Sequence, residues 1–332
     1  HSVTGYSKIG TYAGNGSSNA ITGLGFQPDL VWGKCISASQ TGILIDSSRG
    51  QGLLFSSLAN AEQTSNGPFM TSYDSDGFTL ASSGSNPNDS GRTYVAWCWR
   101  ANGASTSSNS SGSITSTVQA NTKGGFSIMT YTGTGSNATI GHGLSAKPDF
   151  ILTKRRSSEQ TWGVYHTSLG ATKYLALNSS AAAGTDSTFW NNTEPTTSVI
   201  SLGTEGRVNQ NSGTYVAYAW HSVSGFSRFG SFQGNADNDG TFVYTGFRPR
   251  MLFIKNTASA SPWCVYDTAR PSFNPSYLVG WDEATAQNTS SYPIDILSNG
   301  FKIRTSNATV NSAHTWVFGA WGNPSFKYNN TF

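Results

Sequence analysis

The chain has 332 residues, which predicts about two domains at roughly 150 residues per domain. Only 11% of its residues are charged, where an average soluble domain has roughly 25%, and the formal net charge is +3. With 36% hydrophobic residues and 37 glycines the composition excludes a disordered chain, and the lack of a strongly basic stretch argues against a nucleic-acid partner.

The predicted elements are strands, because strand-forming residues such as Val, Thr, Tyr, Phe and Trp are common and no segment has the 3.6-residue period of an amphipathic helix. In chain order we expect an opening strand, a glycine turn, a proline-led apolar strand ending in lysine, a strand carrying an aspartate, a hairpin and a closing aromatic strand. In the first hundred residues these elements lie at 6–12, 14–16, 28–34, 45–49, 76–78 and 94–99.

The same order of elements recurs twice more along the chain. The lysines are Lys34, Lys154 and Lys255, and the tryptophans that end the closing strands are Trp99, Trp220 and Trp321. The lysine-to-tryptophan distances are 65, 66 and 66 residues. This spacing predicts an all-β chain of three tandem antiparallel β-sandwich repeats, at residues 1–102, 123–222 and 223–332, in which the three tryptophans occupy equivalent buried positions. Residues 103–122 are rich in serine and glycine and are predicted to be an exposed linker.

Five short motifs, at residues 12–17, 246–249, 266–270, 297–301 and 321–328, carry a resemblance. They resemble a repeat module of tail-fibre and related virion proteins of tailed bacteriophages, especially phages of marine hosts. The resemblance implies sandwiches of jelly-roll or concanavalin-like type and transfers no catalytic signature. It also implies a virion protein of the tail or another external appendage, assembled in the host cytoplasm, with other virion proteins and a host receptor as its partners.

Two aspartate–arginine pairs recur at equivalent positions, Asp46 with Arg49 and Asp267 with Arg270. A repeated ligand or acid site is one interpretation. A buried ion pair that fixes a loop is the better one, since the second repeat lacks the pair and keeps the other marks of the repeat.

The segments that differ between repeats lie at residues 56–71, 178–196 and 280–293. Their aromatic residues are Phe69, Phe189, Trp190, Trp281 and Tyr292. Binding surfaces commonly lie on variable loops over a fixed scaffold, so these five residues are weak candidates for stacking on a sugar. The alternative is that they plug the open ends of the sandwiches.

The sequence offers little for a metal or a cofactor, and none is predicted. Cys35, Cys98 and Cys264 are an odd number with no CxxC pair, so we expect buried thiols. The Asn- and Asp-rich segment at 235–240 lacks the glutamate of a calcium loop and is predicted to be a turn. No apolar run approaches the roughly 18 residues of a membrane span and no signal peptide opens the sequence, so membrane insertion is not expected.

These observations predict a non-enzymatic virion structural protein, a phage tail fibre or appendage that contacts glycans on the host surface. Two alternatives stay open: a free array of carbohydrate-binding modules and a polysaccharide-degrading tailspike. The last needs two carboxylates about 5–10 Å apart, whereas the five glutamates stand at no repeat-equivalent positions, so no catalytic residue is predicted. Because few lysines or prolines protect the strand edges, a homotrimer is expected.

Overall fold

The computed structural model describes residues 5–64, 69–82 and 86–323. Strands make up 41% of the structure and helices 4%, so the predicted all-β fold is confirmed. The end of the motif at 321–328 lies outside the described residues.

Three consecutive units repeat one arrangement of strands. The first unit contains β1 (Ser7–Ala13), β2 (Asn19–Ile21), β3 (Leu30–Cys35), β4 (Ile43–Asp46), β5 (Leu54–Phe55), β6 (Met70–Asp74), β7 (Gly77–Leu80) and β8 (Thr93–Trp99). The second contains β9 (Ser107–Asn109), β10 (Ser116–Asn121), β11 (Phe126–Thr132), β12 (Ala138–Gly141), β13 (Phe150–Arg155), β14 (Gly163–His166), β15 (Lys173–Tyr174), β16 (Gly184–Thr185), α1 (Ser187–Trp190), β17 (Val199–Leu202), α2 (Gly206–Asn209) and β18 (Thr214–Trp220). The third contains β19 (Ser227–Gln233), β20 (Phe242–Tyr244), β21 (Met251–Asn256), β22 (Cys264–Asp267), β23 (Val279–Gly280), β24 (Ile294–Leu297), β25 (Gly300–Ile303), α3 (Ala308–Asn311) and β26 (Thr315–Trp321).

Each unit has a large antiparallel sheet in which the closing strand lies between the opening strand (β1, β11 or β19) and the lysine strand (β3, β13 or β21). The strand orders are β1-β8-β3-β4-β5, β14-β13-β18-β11-β10-β9 and β19-β26-β21-β22-β23. A smaller sheet accompanies each, with the orders β2-β7-β6, β12-β17 and β20-β25-β24, and β15 pairs with β16 in the second unit. The closing strand is therefore central to its sheet, which agrees with its apolar residues on both faces.

The closing strands of the large sheets are buried on both faces because each sheet lies between two different cores. In β8 the side chains of Tyr94 and Cys98 join a cluster within the first unit. The alternate residues Val95, Trp97 and Trp99 join a cluster that contains residues of all three units. Successive side chains of a strand point to opposite faces of the sheet. One face of β8 therefore packs in the unit's own sandwich and the other packs in the shared core.

The three closing tryptophans meet at the centre of the shared core. The ring centroids of Trp99 and Trp220 are 5.5 Å apart, those of Trp99 and Trp321 5.3 Å, and those of Trp220 and Trp321 6.1 Å. All three pairs are edge-to-face, with interplanar angles between 67° and 71°, and all three rings are buried. The predicted burial at equivalent positions is confirmed, and the units form a ring around a pseudo-threefold axis.

The buried lysines close this ring. Each lysine ammonium donates a hydrogen bond to a backbone carbonyl of a neighbouring unit: Lys34 to Glu283 O at 2.8 Å, Lys154 to Ala59 O at 3.1 Å and Lys255 to Ser180 O at 3.1 Å. The first unit thus bonds the third, the second bonds the first and the third bonds the second. Burial lowers the pKa of each of the three lysines to about 8.

The prediction of an exposed linker at residues 103–122 needs correction. Strand β10 pairs with β11 and extends the large sheet of the second unit, and β9 pairs with β10. The side chains of Val118 and Gln119 are buried. Serine and glycine dominate this segment, but β10 is buried on both faces at these two residues, with Val118 in the core of the second unit and Gln119 against the first unit.

Candidate functional site

The aromatic residues proposed as sugar contacts are mostly buried. Phe69, Phe189, Trp190 and Trp281 lie in the apolar clusters, and Tyr292 is half-buried against the cluster of the third unit. The structure brings together only Phe189 and Trp190, whose ring centroids are 6.0 Å apart.

Protein covers the faces of these rings. Trp281 stacks on Trp32 of the first unit with centroids 4.0 Å apart, and Phe189 stacks on Tyr174 at 3.9 Å. The guanidinium of Arg207 lies 5.1 Å from the centroid of Phe189. This corrects the sequence prediction for the four buried rings: neighbouring strands and units cover the loops that carry them and leave no ring face for a sugar.

The recurrent aspartate–arginine pairs are buried ion pairs, as the sequence indicated. Arg49 binds Asp46 and also donates to Glu62 Oε1 at 2.6 Å, while Tyr218 of the second unit donates its hydroxyl to Asp46 at 2.6 Å. Glu62 also binds Arg156 of the second unit at 2.7 Å. This network joins the first two units and leaves the Asp46 carboxylate occupied.

The position that Asp46 occupies in the repeat makes a contact between units at each interface of the ring. Asp267 of the third unit accepts a hydrogen bond from the indole of Trp97 in the first unit at 3.2 Å. In the second unit His166 bonds the carbonyl of Phe318 at 2.9 Å, beside Gly319, which stands where the other units have Trp97 and Tyr218. The loss of the aspartate in the second unit therefore coincides with the loss of its side-chain partner in the third.

The exposed aromatic residues lie elsewhere, on the outer face of the third unit. Phe242 and Tyr244 on β20 are 43% and 55% exposed, while Val243 between them is buried. Since alternate residues share a face, the two rings project from the same side of the small sheet, with their α-carbons about 7 Å apart. We call Phe242 and Tyr244 the aromatic face.

Two glycines border the aromatic face. A side-chain carbon on Gly300 would lie 3.1 Å from Cε2 of Phe242, and one on Gly246 would lie 3.4 Å from the hydroxyl of Tyr244. Gly300 is also the residue that pairs with Tyr244 across the sheet. The rings therefore lie along backbone that carries no competing side chain.

The other two units show that the fold does not require aromatic residues at these positions. In each small sheet the first strand pairs through a central apolar residue: Ile21 with Phe78, Ile140 with Ile200 and Val243 with Phe301. The residues that flank the central one are Ala20 and Thr22 in the first unit, Thr139 and Gly141 in the second, and Phe242 and Tyr244 in the third. An exposed aromatic pair without a packing role is a candidate for binding.

Charged groups surround the aromatic face. The guanidinium of Arg228 lies 5.5 Å from the ring centroid of Tyr244. Lys302, which pairs with Phe242 across the sheet, forms an ion pair of 2.8 Å with Asp239, and its hydrogen bond lowers the pKa of that carboxyl. The face thus combines two apolar ring surfaces with donors and acceptors at its rim.

A third exposed aromatic residue belongs to the same unit. Phe273 is 68% exposed, in a loop held to β24 by paired hydrogen bonds between Asn274 and the backbone of Ile296. Among the described residues the other exposed large hydrophobic side chain is Leu58 of the first unit. Exposed apolar surface is therefore concentrated on the third unit. The pattern that would have revealed it is the aromatic–apolar–aromatic alternation of β20 compared with the other two repeats.

Over residues 5–64, 69–82 and 86–323 the structure contains no group of three or more His, Cys, Asp or Glu side chains placed to hold a metal. The segment at 235–240 is a turn in which Asn235 Oδ1 accepts from the amide of Asp237. The three cysteines are buried and free. None of the helices in the described residues is long and apolar enough to cross a membrane.

A family model described as a domain of unknown function, DUF7483, matches residues 2–324. The match spans all three units of the ring, so the ring corresponds to one family domain. No curated protein and no solved structure matches the chain.

Proposed function

The chain belongs to the family whose model matches residues 2–324, and we propose that this member is a non-enzymatic protein of a virion appendage that binds glycans on the host surface. The aromatic face of the third unit is the proposed glycan site. The observation that carries the proposal is the exposure of Phe242 and Tyr244 on a sheet whose two counterparts have small residues there.

The chemistry of the aromatic face suits a sugar. The C–H groups on one face of a pyranose ring pack against an aromatic ring, and hydroxyls at the edge of the sugar need hydrogen-bonding partners. Phe242 and Tyr244 supply two such rings, and Arg228 and Asp239 supply a donor and an acceptor nearby. Binding sites of this kind combine apolar ring surface with a few polar groups that fix orientation.

The ring supports the site as a rigid scaffold. The aromatic face lies on the small sheet, on the side away from the core of the third unit, so a long polysaccharide can reach it without entering a cleft. Beneath it Val243 and Phe301 pack in the core of the third unit. A binding surface on a fixed sheet loses little conformational entropy when its ligand binds.

Two features favour binding over hydrolysis. The recurrent carboxylates of Asp46 and Asp267 are held in buried ion pairs with Arg49 and Arg270, so they are engaged in structural roles. Asp239 forms an ion pair with Lys302, the residue opposite Phe242, and the pKa of its carboxyl is lowered by that lysine, whereas a general acid needs a raised pKa.

The virion location, the contact with other virion proteins and the homotrimer remain proposals that rest on the resemblance and the composition. The ring already buries three large sheets against one another within one chain. Contacts between copies would therefore use outer surfaces of the ring. Negative-stain imaging of particles labelled with an antibody to this chain tests the location.

A glycan array tests the binding proposal. The wild-type chain is expected to bind a defined set of glycans, and the double variant Phe242→Ala/Tyr244→Ala is expected to lose at least tenfold in signal on all of them. Leu58→Ala, which removes an exposed apolar side chain from the first unit, is the matched control and is expected to bind as the wild type does. Equal binding by the double variant would reject the aromatic face as the site, and a wild-type chain that binds no glycan would reject the proposed function.

A further inference from the structure

The units meet along three seams, each beside the opening strand of one large sheet (β1, β11 or β19). In the seam between the first and second units, β10 pairs with β11 and directs the buried side chain of Gln119 toward the first unit. Gln119 Nε2 donates to Ser47 Oγ at 2.8 Å and to Ser48 Oγ at 2.7 Å. The chain that connects the two units therefore fills this seam.

The seam between the second and third units is closed by the connection at residues 221–225. The amide of Ser222 donates to Asp149 Oδ2 at 2.7 Å, and its hydroxyl accepts from the amide of Phe229 at 3.1 Å. Val223 packs against the shared core.

The seam between the third and first units contains a cavity of about 390 Å³ instead. Thr268 and Ala269 line it, the two residues after Asp267, which correspond to Ser47 and Ser48 after Asp46. On the opposite side Ser7, Lys8 and Ile9 of β1 line it. The cavity thus lies where Gln119 lies in the first seam.

The register of the strands supports this correspondence. Gln119 stands opposite Ile128 on β11, and Ile128 pairs with Tyr218 of the closing strand. Ile9 pairs with Trp97 at the corresponding place in the first unit. A strand added to β1 in the register of β10 would therefore direct the side chain opposite Ile9 into the cavity. Among the described residues β1 pairs with β8 alone, and no described strand pairs with its other edge.

The charge of the cavity differs from that of the closed seams. Arg250 lines it, and no Asp or Glu does; Lys8 also lines it, but its ammonium donates to the carbonyl of Gly23 and lies near the carboxylate of Asp76. Arg250 follows Pro249 as Asp29 follows Pro28 and Asp149 follows Pro148. The carboxylate of Asp29 accepts hydrogen bonds from backbone amides of the chain that leaves the first unit, for example from the amide of Ala101 at 2.7 Å. At the third position the exposed cation of Arg250 has replaced this acceptor, so the charge at this place favours an anionic ligand.

We propose that the seam between the third and first units is a docking site for an extended segment of a partner polypeptide. The segment pairs antiparallel with the outer edge of β1 and places an acidic side chain in the cavity beside Arg250. Backbone hydrogen bonds to β1 supply affinity, and the pocketed side chain supplies specificity, as in other strand additions. This inference is independent of the glycan site, which lies on the small sheet of the third unit.

The probe for the test is a peptide of residues 114–122 that carries Gln119→Glu. Added to the full chain, it is expected to slow amide hydrogen exchange in β1 and to change the fluorescence of the tryptophans that line the cavity, Trp97, Trp99 and Trp321. The unsubstituted peptide is expected to bind more weakly. Arg250→Glu, at an exposed position, is expected to weaken binding at least tenfold. Lys173→Glu on β15, an exposed position of the second unit, is the control and is expected to leave binding unchanged.

Three results would overturn the proposal. The peptide could leave exchange in β1 unchanged, or bind the Arg250→Glu chain as tightly as the wild type. Alternatively, the amides of β1 could already be protected in the free chain. Protection at every concentration would assign the edge to the chain's own residues, and protection that grows with concentration would assign it to a second copy.

Discussion

Tyr218 of the second unit donates its hydroxyl to the carboxylate of Asp46 in the first unit, at 2.6 Å. Both groups are buried, and Asp46 is also bound by Arg49. A hydrogen bond to a buried charge is worth about 1.5–3 kcal/mol, so Tyr218→Phe is expected to lower the free energy of unfolding by about 2 kcal/mol in urea titrations. Tyr131→Phe, which removes a bond to the neutral carbonyl of Val208 within the second unit, is the control and is expected to cost about 1 kcal/mol. Equal losses would show that the contact between units carries no added stability.

Glu62 holds two arginines that come from different units, Arg49 at 2.6 Å and Arg156 at 2.7 Å. Glu62→Ala leaves the buried Arg49 guanidinium with less compensating charge, and we expect a loss of about 3–5 kcal/mol in the free energy of unfolding. Asp239→Ala breaks an ion pair whose carboxylate is largely exposed and screened by solvent, and it is expected to leave the free energy of unfolding close to the wild-type value. A loss at Glu62 as small as that at Asp239 would mean that solvent screens the network.

The tryptophan triad predicts that the ring unfolds as one cooperative body. Trp99→Ala, Trp220→Ala and Trp321→Ala are each expected to cost about 3–5 kcal/mol, because each removes a large buried ring from a core that all three units share. Calorimetry is expected to show one transition for every variant. A variant with two transitions, one at the wild-type temperature, would show that the units fold independently.

The interface between the second and third units is predicted to be sensitive to acid. Burial lowers the pKa of His166 to about 4, against about 6.5 in the unfolded chain. Between these values the unfolded chain binds a proton at His166 that the folded chain does not. The contribution of neutral, buried His166 to the free energy of unfolding is therefore complete above pH 6.5, and it falls by about 3 kcal/mol as the pH drops to about 4.

His142 adds to the same dependence, since burial also lowers its pKa to about 4. Urea unfolding at pH 7, 5.5 and 4.5 is expected to show a smaller loss of stability on acidification for His166→Gln than for the wild type, and a smaller one still for His142→Gln/His166→Gln. If the double variant loses as much stability on acidification as the wild type does, the acid sensitivity belongs to other groups.

The repeats, their strands and the burial of the closing tryptophans could be predicted from the sequence. Constant spacing between Lys34 and Trp99 and their counterparts shows that three segments share one fold, and alternation of apolar residues shows which strands are central. The ring could not be predicted in this way. A strand that is apolar on both faces does not reveal what covers its second face, and here two other copies do so.

The candidate site illustrates the same limit. Trp281 lies in a variable loop and has the composition of a binding residue, yet it stacks on Trp32 of another unit, a contact between distant parts of the chain that no local pattern reports. Phe242 and Tyr244 could have been found by comparing the three repeats position by position. The turn at residues 235–240 before them has the more obvious local pattern, a group of Asn and Asp residues.

The most direct test of the account is a calorimetric titration of a glycan that binds the wild-type chain on the array. We expect Phe242→Ala/Tyr244→Ala to raise the Kd at least tenfold, which corresponds to about 1.4 kcal/mol or more, because both stacking surfaces are removed. Leu58→Ala is expected to keep the wild-type Kd, and both variants are expected to unfold at the wild-type temperature. A Kd unchanged in the double variant would contradict the claim that the third unit's aromatic face binds the glycan.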